Sequence, residues 1–429
     1  MEAKSWGNFP KYNSALKKFN FKNLKFNFSK NSIPFGNGRS YGDSALAKNI
    51  IKIDDYNKIL SFNELDGVIH VQSGILISEI VFNYVPKGWF LKVTPGTKFI
   101  TVGGAIASDV HGKNHNKAGC FSRCIEMFNL LLPNGEIYEC SMKKNIKLFK
   151  ATCGGMGLTG IILDVKFKLK KVNSKFINQI TIKTNNLKET FDAFYRNIDS
   201  ENLVAWIDCN SDKNLAGRSL LKIGNFCNDG NLNLKRKKTI SIPTFFPSIF
   251  TNKIFIKIFN FIYYHINPNK ISYKKIELDS FFYSLDYVNN WNRFYGKKGL
   301  IQYQFILPME HSLIGIGEIL NLISESKIKP TLAVLKVFGK QNKNFMSFPI
   351  KGYSLAIDFK IQSNLFKFLD QLDEIIIKYK GRIYLSKDAR VNSIVFEKGY
   401  PEINIFRQLR TEYGLKSKLN SFQSERLKI

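Results

Sequence analysis

Between residues 50 and 71 the apolar positions come in short β-branched runs, first Ile50, Ile51 and Ile53, then Val68, Ile69 and Val71, each bounded by turn formers. Leu163 to Lys170 alternates strictly between apolar and polar residues, which predicts a strand with one face in water. A short helix fits Ile75 to Val85, and the rest of the first 175 residues reads as strands and loops punctuated by glycine. From residue 176 the pattern changes to longer strand–helix alternation. Asn186 with Glu189 three places on resembles a capping box, ahead of Leu187, Phe191, Phe194 and Tyr195 at helical spacing. Strand-like Leu300–Leu307 precedes a helical stripe of Leu313, Ile316, Leu320 and Ile323, and strand-like Thr331–Phe338 follows. Tyr353–Phe359 then leads into a helix with Leu365, Leu369, Leu372, Ile376 and Tyr379 on one face, ended by Gly381. The pattern predicts an α+β fold in which a strand- and loop-rich first part meets a sheet flanked by helices on one side.

One stretch departs from both patterns. Residues 231–275 carry nine basic side chains (Lys235, Arg236, Lys237, Lys238, Lys253, Lys257, Lys270, Lys274 and Lys275) and no acidic one. Between them lie Phe245–Phe250 and Ile254–Tyr264, rich in aromatic and aliphatic residues. Lys253 and Lys257 interrupt the apolar run, so it is not a membrane span. Apolar groups flanked by lysines suit the headgroup boundary of an anionic membrane, each basic residue adding roughly 1 kcal/mol there; the alternative is a buried core helix entered by a basic loop.

Charge strengthens this picture. The 429 residues include 64 Lys and Arg against 34 Asp and Glu, a net charge of +30. Such a chain is drawn to polyanions, whether nucleic acid, an anionic membrane or a phosphorylated substrate. With 44% hydrophobic and 14% aromatic residues, it has the apolar surface that folding requires. The six cysteines show neither a C-x-x-C pair nor zinc-site spacing, which points to reduced thiols. The first residues, Met1 to Asn8, lack the apolar core of a signal peptide. The expectation is a protein peripherally associated with the inner membrane on its cytoplasmic side, with the periplasmic face as the alternative.

Candidate chemistry lies in four glycine-rich loops, at Gly36–Asp43, Thr94–Ala105, Asp109–His115 and Cys153–Gly160. Glycine lets backbone N–H groups converge on a phosphate because no Cβ blocks the approach. In the first loop the third glycine comes one residue late for a Rossmann fingerprint, and the chain then turns into strand rather than helix. Together the four loops are suited to cradle a long polyphosphate cofactor in an extended pose. His111 and His115 stand four apart, but no acidic third ligand accompanies them, so no metal site is expected. No nucleic-acid-binding module is visible either.

The ordered motifs resemble the FAD-binding half of the vanillyl-alcohol oxidase superfamily, and within it the decaprenylphosphoryl-β-D-ribose 2-oxidase family. They are Gly38-Arg39-Ser40-Tyr41-Gly42-Asp43, Pro95-Gly96-Thr97 with Val102-Gly103-Gly104-Ala105-Ile106, Asp109-Val110-His111-Gly112-Lys113-Asn114-His115, and Gly155–Ile161. The likeness continues through Ala205–Asp208, Trp291–Gly296, Gln302–Phe305 and Leu335–Gly339, and closes with Gly381–Asp388. It therefore spans nearly the whole chain.

The resemblance implies a two-domain PCMH-type FAD-binding fold, with residues 1–175 and 382–429 holding FAD and residues 176–381 holding substrate. It implies cofactor contacts from Gly36, Asn37, Gly38, Arg39, Ser40, Tyr41, Gly96, Thr97, Thr101, Gly103, Gly104, Ala107, Ser108, Asp109, His111, Gly112, Asn114, Gly157, Gly160, Ile161 and Tyr384. Arg39 stands where relatives with covalent flavin carry histidine, which implies FAD held without a covalent bond. The implied reaction oxidises the 2′-hydroxyl of a polyprenyl-phosphoryl ribose. Lys387 is the candidate for holding that hydroxyl, with Lys387 and His111 alternative bases and Tyr41 beside them. Lys113, Gln302, Gln304 and Lys336 complete the substrate contacts. An NAD-dependent keto-reductase partner, finishing an epimerisation to arabinose, is implied by family alone. Ala356 stands where many relatives have cysteine, and Asn116 where they often have a second histidine. The alternative is an FAD-linked oxidase of a soluble alditol or sugar acid.

Overall fold

A computed structural model describes residues 2–19, 26–211, 216–242 and 252–429. The first part of the chain builds two sheets. Ala15–Lys18, Asn49–Lys52 and Ser32–Phe35 pair in parallel, with Asn49–Lys52 in the middle. An antiparallel six-stranded sheet is organised around Ile161–Lys171, which pairs with Val68–Gln72, Ile125–Leu131 and Trp89–Leu91. The alternation seen in sequence is real along this strand: Val165, Phe167 and Leu169 are buried while Lys168 is exposed. The short helix covers Ile77–Tyr84 and ends in a 3₁₀ turn, Val85–Lys87, where Pro86 cannot donate the next helical hydrogen bond.

The second part is an eight-stranded antiparallel sheet in the order Ile271–Glu277, Phe176–Thr184, Ser219–Phe226, Asn202–Ile207, Leu332–Phe338, Gly352–Lys360, Leu300–Pro308 and Arg382–Ile383. Helices Leu187–Arg196, Met309–Glu325 and Leu365–Lys378 pack together on this sheet. The last of them buries Leu365, Phe368, Leu369, Leu372, Ile375 and Ile376. Each fully buried aliphatic side chain contributes about 1.5–3 kcal/mol, and truncating Leu369 to alanine would cost about 2–5 kcal/mol.

Two sequence expectations about helix ends are refined. The Asn186 side chain caps its helix by accepting from the Glu189 N–H at 2.9 Å, but the Glu189 carboxylate reaches back to the amide of Asn185 at 3.0 Å. That is one residue earlier than a capping box requires. At the end of Leu365–Lys378 the left-handed residue is Lys380, with φ +55°, and not Gly381. Amides of Lys380 and Gly381 bond to the carbonyls of Ile377 and Ile376, closing a Schellman turn. Gly381 is needed one step later, because a Cβ there would sit 2.5 Å from the Ile306 carbonyl oxygen.

The basic segment contains a helix, Lys253–His265, capped by Asn252. It buries only Ile256, Asn260 and Tyr264, while Ile254, Ile258, Phe259, Phe261 and Ile262 are each more than half exposed. Apolar residues therefore face outward over most of this helix. The Phe245–Phe250 stretch lies outside the described residues. Among the described residues no helix is long and apolar enough to cross a membrane.

Residues after Arg382 return to the first part of the chain. Arg426 bridges two buried carboxylates, Asp43 at 2.7 Å and Asp388 at 2.8 Å. Next to Asp43, Gly42 lies so close to this returning segment that a Cβ would stand 1.5 Å from the Asp388 carbonyl oxygen. The Tyr41 N–H donates to the Ser386 carbonyl at 2.9 Å. These contacts set the loop at 36–43 against the loop at 384–388.

Candidate active site

The glycine loops of the first part and the face of the eight-stranded sheet opposite its three packed helices enclose a cavity of 610 Å³, within the range of small-molecule sites. Alternation within the strands decides which side chains reach it. Gln302 and Gln304, Leu332, Val334 and Lys336, Ser354 and Ala356, and Val204 and Trp206 all line the cavity at every second position. Their neighbours Tyr303, Leu335, Leu355 and Ala205 are buried in the main core.

On the loop side the cavity is lined by Gly36, Asn37, Gly38, Arg39, Ser40, Tyr41, Gly96, Thr97, Thr101, Gly103, Gly104, Ala107, Ser108, Gly157 and Gly160. His111, Lys113, Tyr384 and Lys387 join them, bringing together most of the residues singled out in sequence. Four others do not line it. Asp109 is fully buried and accepts hydrogen bonds from Asn342, Asn344, Ser347 and the Ser122 amide at 2.7–3.0 Å, so it anchors the loop that carries His111. Asn114 donates to the Lys92 carbonyl at 2.9 Å. A Cβ on Gly112 would lie 2.6 Å from Asn114 Oδ1, so that glycine allows a close loop crossing. Ile161 points into the core, and its neighbour Ile162 lines the cavity instead.

The loop side fits FAD. A Cβ at Gly36 would clash with Thr101 Oγ1 at 2.4 Å, whereas Gly96 faces open space. Among the described residues the amides of Asn37, Gly38, Arg39 and Ser40 make no backbone–backbone hydrogen bond, leaving consecutive donors for a pyrophosphate. Arg39 places its guanidinium 4.0 Å from the centre of the Trp6 ring, and its buried Nε has no partner among the described residues. His111 Nδ1 is a second such atom. Both atoms are free to donate to a group bound in the cavity, and an unpaired buried polar group is costly.

The two histidines do different work. His115 accepts from the Gly339 amide at 3.2 Å and lies 4.4 Å from the Phe338 ring, so it pins the end of a strand. Burial, with Arg123 and Lys336 nearby, pushes its pKa down to about 3. His111 meets the cavity among Phe338, Phe348 and Tyr384. Its Nε2 accepts from Gln304 Nε2 at 3.1 Å, an assignment that puts the ring proton on Nδ1. Burial, reinforced by Lys336, His115 and Lys387, holds its pKa well below the usual value, so the ring is neutral.

Lys387 is held by the 384–388 loop, with its Nζ 3.7 Å from the centre of the Tyr41 ring. Burial lowers its pKa to about 7, against an upward pull from Asp358 and with further lowering by Lys336. Lys336 is lowered to about 8 by burial, and Lys113 falls well below the usual range, by burial and then Lys336 and Lys222. All three ammonium groups open on the enclosed cavity, which explains strong desolvation of side chains that keep some exposed area. Asp358, buried behind Gln302, accepts from its Nε2 at 2.6 Å, leaving Gln302 Oε1 as the amide's acceptor. Desolvation raises Asp358 to about 6.

Several lining or supporting residues escape the sequence reading. Asp358 and Lys222 belong to apolar strands, and their signal is a lone charge on an alternating face. Phe259 and Tyr263, from the exposed helix, also line the cavity, a placement with no local signal.

Comparison with known proteins bears on the family and the cofactor. A family model described as FAD binding domain matches residues 27–141. The chain is 32% identical over 412 residues to decaprenylphosphoryl-β-D-ribose oxidase of Mycolicibacterium smegmatis, covering 92% of this chain and 88% of that one. An uncharacterised protein of Streptomyces coelicolor is 24% identical over 82% of this chain and 98% of its own length. L-gulonolactone oxidase of Bos taurus is 29% identical over 166 residues, 38% of this chain and 36% of that protein.

Proposed function

The chain belongs to the decaprenylphosphoryl-β-D-ribose oxidase family of FAD-dependent oxidoreductases, and from that membership we propose that it oxidises the ribose 2′-hydroxyl of a polyprenyl-phosphoryl ribose to the ketone. Residues 1–175 with 382–429 would hold the cofactor and residues 176–381 the substrate. The observation that carries this reading is the single cavity that passes from the glycine loops, past Lys387, to Phe259 and Tyr263 of the outward-facing apolar helix. A lipid-linked sugar needs both ends of that path. A soluble alditol needs only one.

Bound FAD supplies the two-electron acceptor for the carbinol carbon. The chain's own residues handle the proton and the pose. Lys387, with its pKa near 7, has a free amine available to take the hydroxyl proton. His111 is the weaker candidate base, since its Nε2 lone pair is engaged by Gln304 and its Nδ1 carries the proton. Gln302 offers Oε1 to a sugar hydroxyl, and Tyr41 packs against Lys387. FAD is held without a covalent bond, Arg39 standing where a linking histidine would be. The exposed helix, with Lys253 and Lys257, rests in an anionic membrane surface and admits the prenyl chain. An NAD-dependent keto-reductase consumes the ketone.

Two measurements test the reading. The flavin spectrum of the purified protein should move into the filtrate on denaturation, and retention with the chain would overturn the non-covalent assignment. Anaerobically, farnesylphosphoryl ribose should bleach the flavin and soluble alditols should not. The opposite preference would establish the alternative substrate class.

A further inference from the structure

Three lysines converge on one part of the cavity, and among the described residues no carboxylate forms an ion pair with them. Lys113 donates to the Phe282 carbonyl at 2.9 Å, and Lys222 donates to the Tyr263 hydroxyl at 3.0 Å. The Lys336 ammonium makes no hydrogen bond among the described residues, and none of the three lysines forms an ion pair among them. Asp286, which faces the same cavity, accepts from the Lys98 amide at 2.8 Å and favours the Lys113 ammonium through its charge without pairing with it. Lys222 stands opposite Val204, whose strand pairs in turn with the strand of Lys336. Adjacent strands lie about 4.8 Å apart, so two lysines on one face with one strand between them can reach a common ligand. Half-buried cations without a counter-ion are costly unless an anion joins them.

We propose that Lys113, Lys222 and Lys336 form a phosphate subsite, with Tyr263 beside it, that grips the phosphodiester linking sugar and lipid. The proposal rests on the lipid-linked sugar reading above and gives it an order along the cavity. The sugar lies by Lys387, the phosphate by the three lysines, and the first prenyl units by Phe259 and Tyr263. Lys222 is the member that sequence motifs do not indicate. Its lysine sits in the middle of the apolar strand Ser219–Phe226, where a charge has no role in packing.

The test uses the FAD-loaded full chain and farnesyl phosphate, farnesol and inorganic phosphate as probes, with dissociation constants read by calorimetry. Lys222→Met and Lys336→Met should each weaken farnesyl phosphate by about tenfold to a hundredfold, the scale of one charge-assisted hydrogen bond. Farnesol binding should change less than twofold, and Lys222→Arg should recover most of the lost phosphate affinity. Competition of inorganic phosphate against farnesyl phosphate should also weaken in both methionine variants, showing that the subsite reads the phosphate and not the lipid. Equal losses for farnesol and farnesyl phosphate, or unchanged farnesyl phosphate binding, would overturn the subsite. If the wild-type protein binds farnesyl phosphate through these lysines but its flavin is not bleached by farnesylphosphoryl ribose, the substrate reading fails while the subsite stands.

Discussion

Replacing Lys387 by methionine keeps an unbranched apolar side chain one atom shorter and removes the basic nitrogen that sits over Tyr41. With a pKa of about 7, about half of Lys387 is free amine at pH 7, against roughly 1 in 3,000 for a lysine at its ordinary value of 10.5. The cavity thus raises the supply of base by roughly three orders of magnitude. Loss of a positioned general base typically costs about 10²- to 10⁴-fold. Lys387→Met should therefore bind FAD normally and lose flavin bleaching by farnesylphosphoryl ribose by that factor. The pH profile adds a sign. The cation dominates below about pH 7 and the amine above it, so the wild-type bleaching rate should rise about tenfold per pH unit below 7 and level off above. Anaerobic stopped-flow absorbance over about pH 5 to 9 measures both. A Lys387→Met protein that bleaches at the normal rate, or that keeps the same rising limb, would refute the assignment of the base.

Other expectations follow from neighbouring groups. Asp358 raises the pKa of Lys387, so Asp358→Asn should move the rising limb to lower pH; an unchanged or higher limb would separate the two residues. Ala356 lines the cavity without a thiol, so thiol-capturing inhibitors should spare the wild type and label Ala356→Cys, as intact-mass measurement would reveal. Changing Ile258 and Ile262 to glutamate, both on the exposed side of their helix, should abolish flotation with anionic vesicles while leaving FAD content unchanged; persistent flotation would free this helix from any membrane role. Gly42→Ala forces a methyl into the Asp388 carbonyl and should cost about 3 kcal/mol or more in denaturant unfolding.

Local patterns carried much of the architecture. Period-two alternation located Ile161–Lys171, and helical stripes located Met309–Glu325 and Leu365–Lys378. Glycine spacing marked the loops because a missing Cβ is a property of one residue and survives without knowledge of its partners. Strand order was a different matter. Nothing local to Arg382–Ile383 shows that it pairs with Leu300–Pro308, since pairing partners far apart in sequence leave no periodic signature. The same distance hid Asp358 behind Gln302 and Lys222 beside Tyr263. Asp109 shows the converse: its motif position suggested a cofactor contact, while its buried carboxylate gathers a loop more than 230 residues away.

The bridge from Asp43 through Arg426 to Asp388 has a consequence for biosynthesis. A ribosome adding roughly 5–20 residues per second needs about 20–80 seconds to travel from the first of these residues to Arg426. Until then the loop at 36–43 lacks the wall it leans on, and Lys387 has not been made when the glycine turns emerge. Nascent chains would therefore expose a half-built dinucleotide cradle for most of translation. Cofactor loading becomes a late event, and a chain interrupted before Arg426 should leave the ribosome colourless, carrying every glycine motif yet unable to retain flavin.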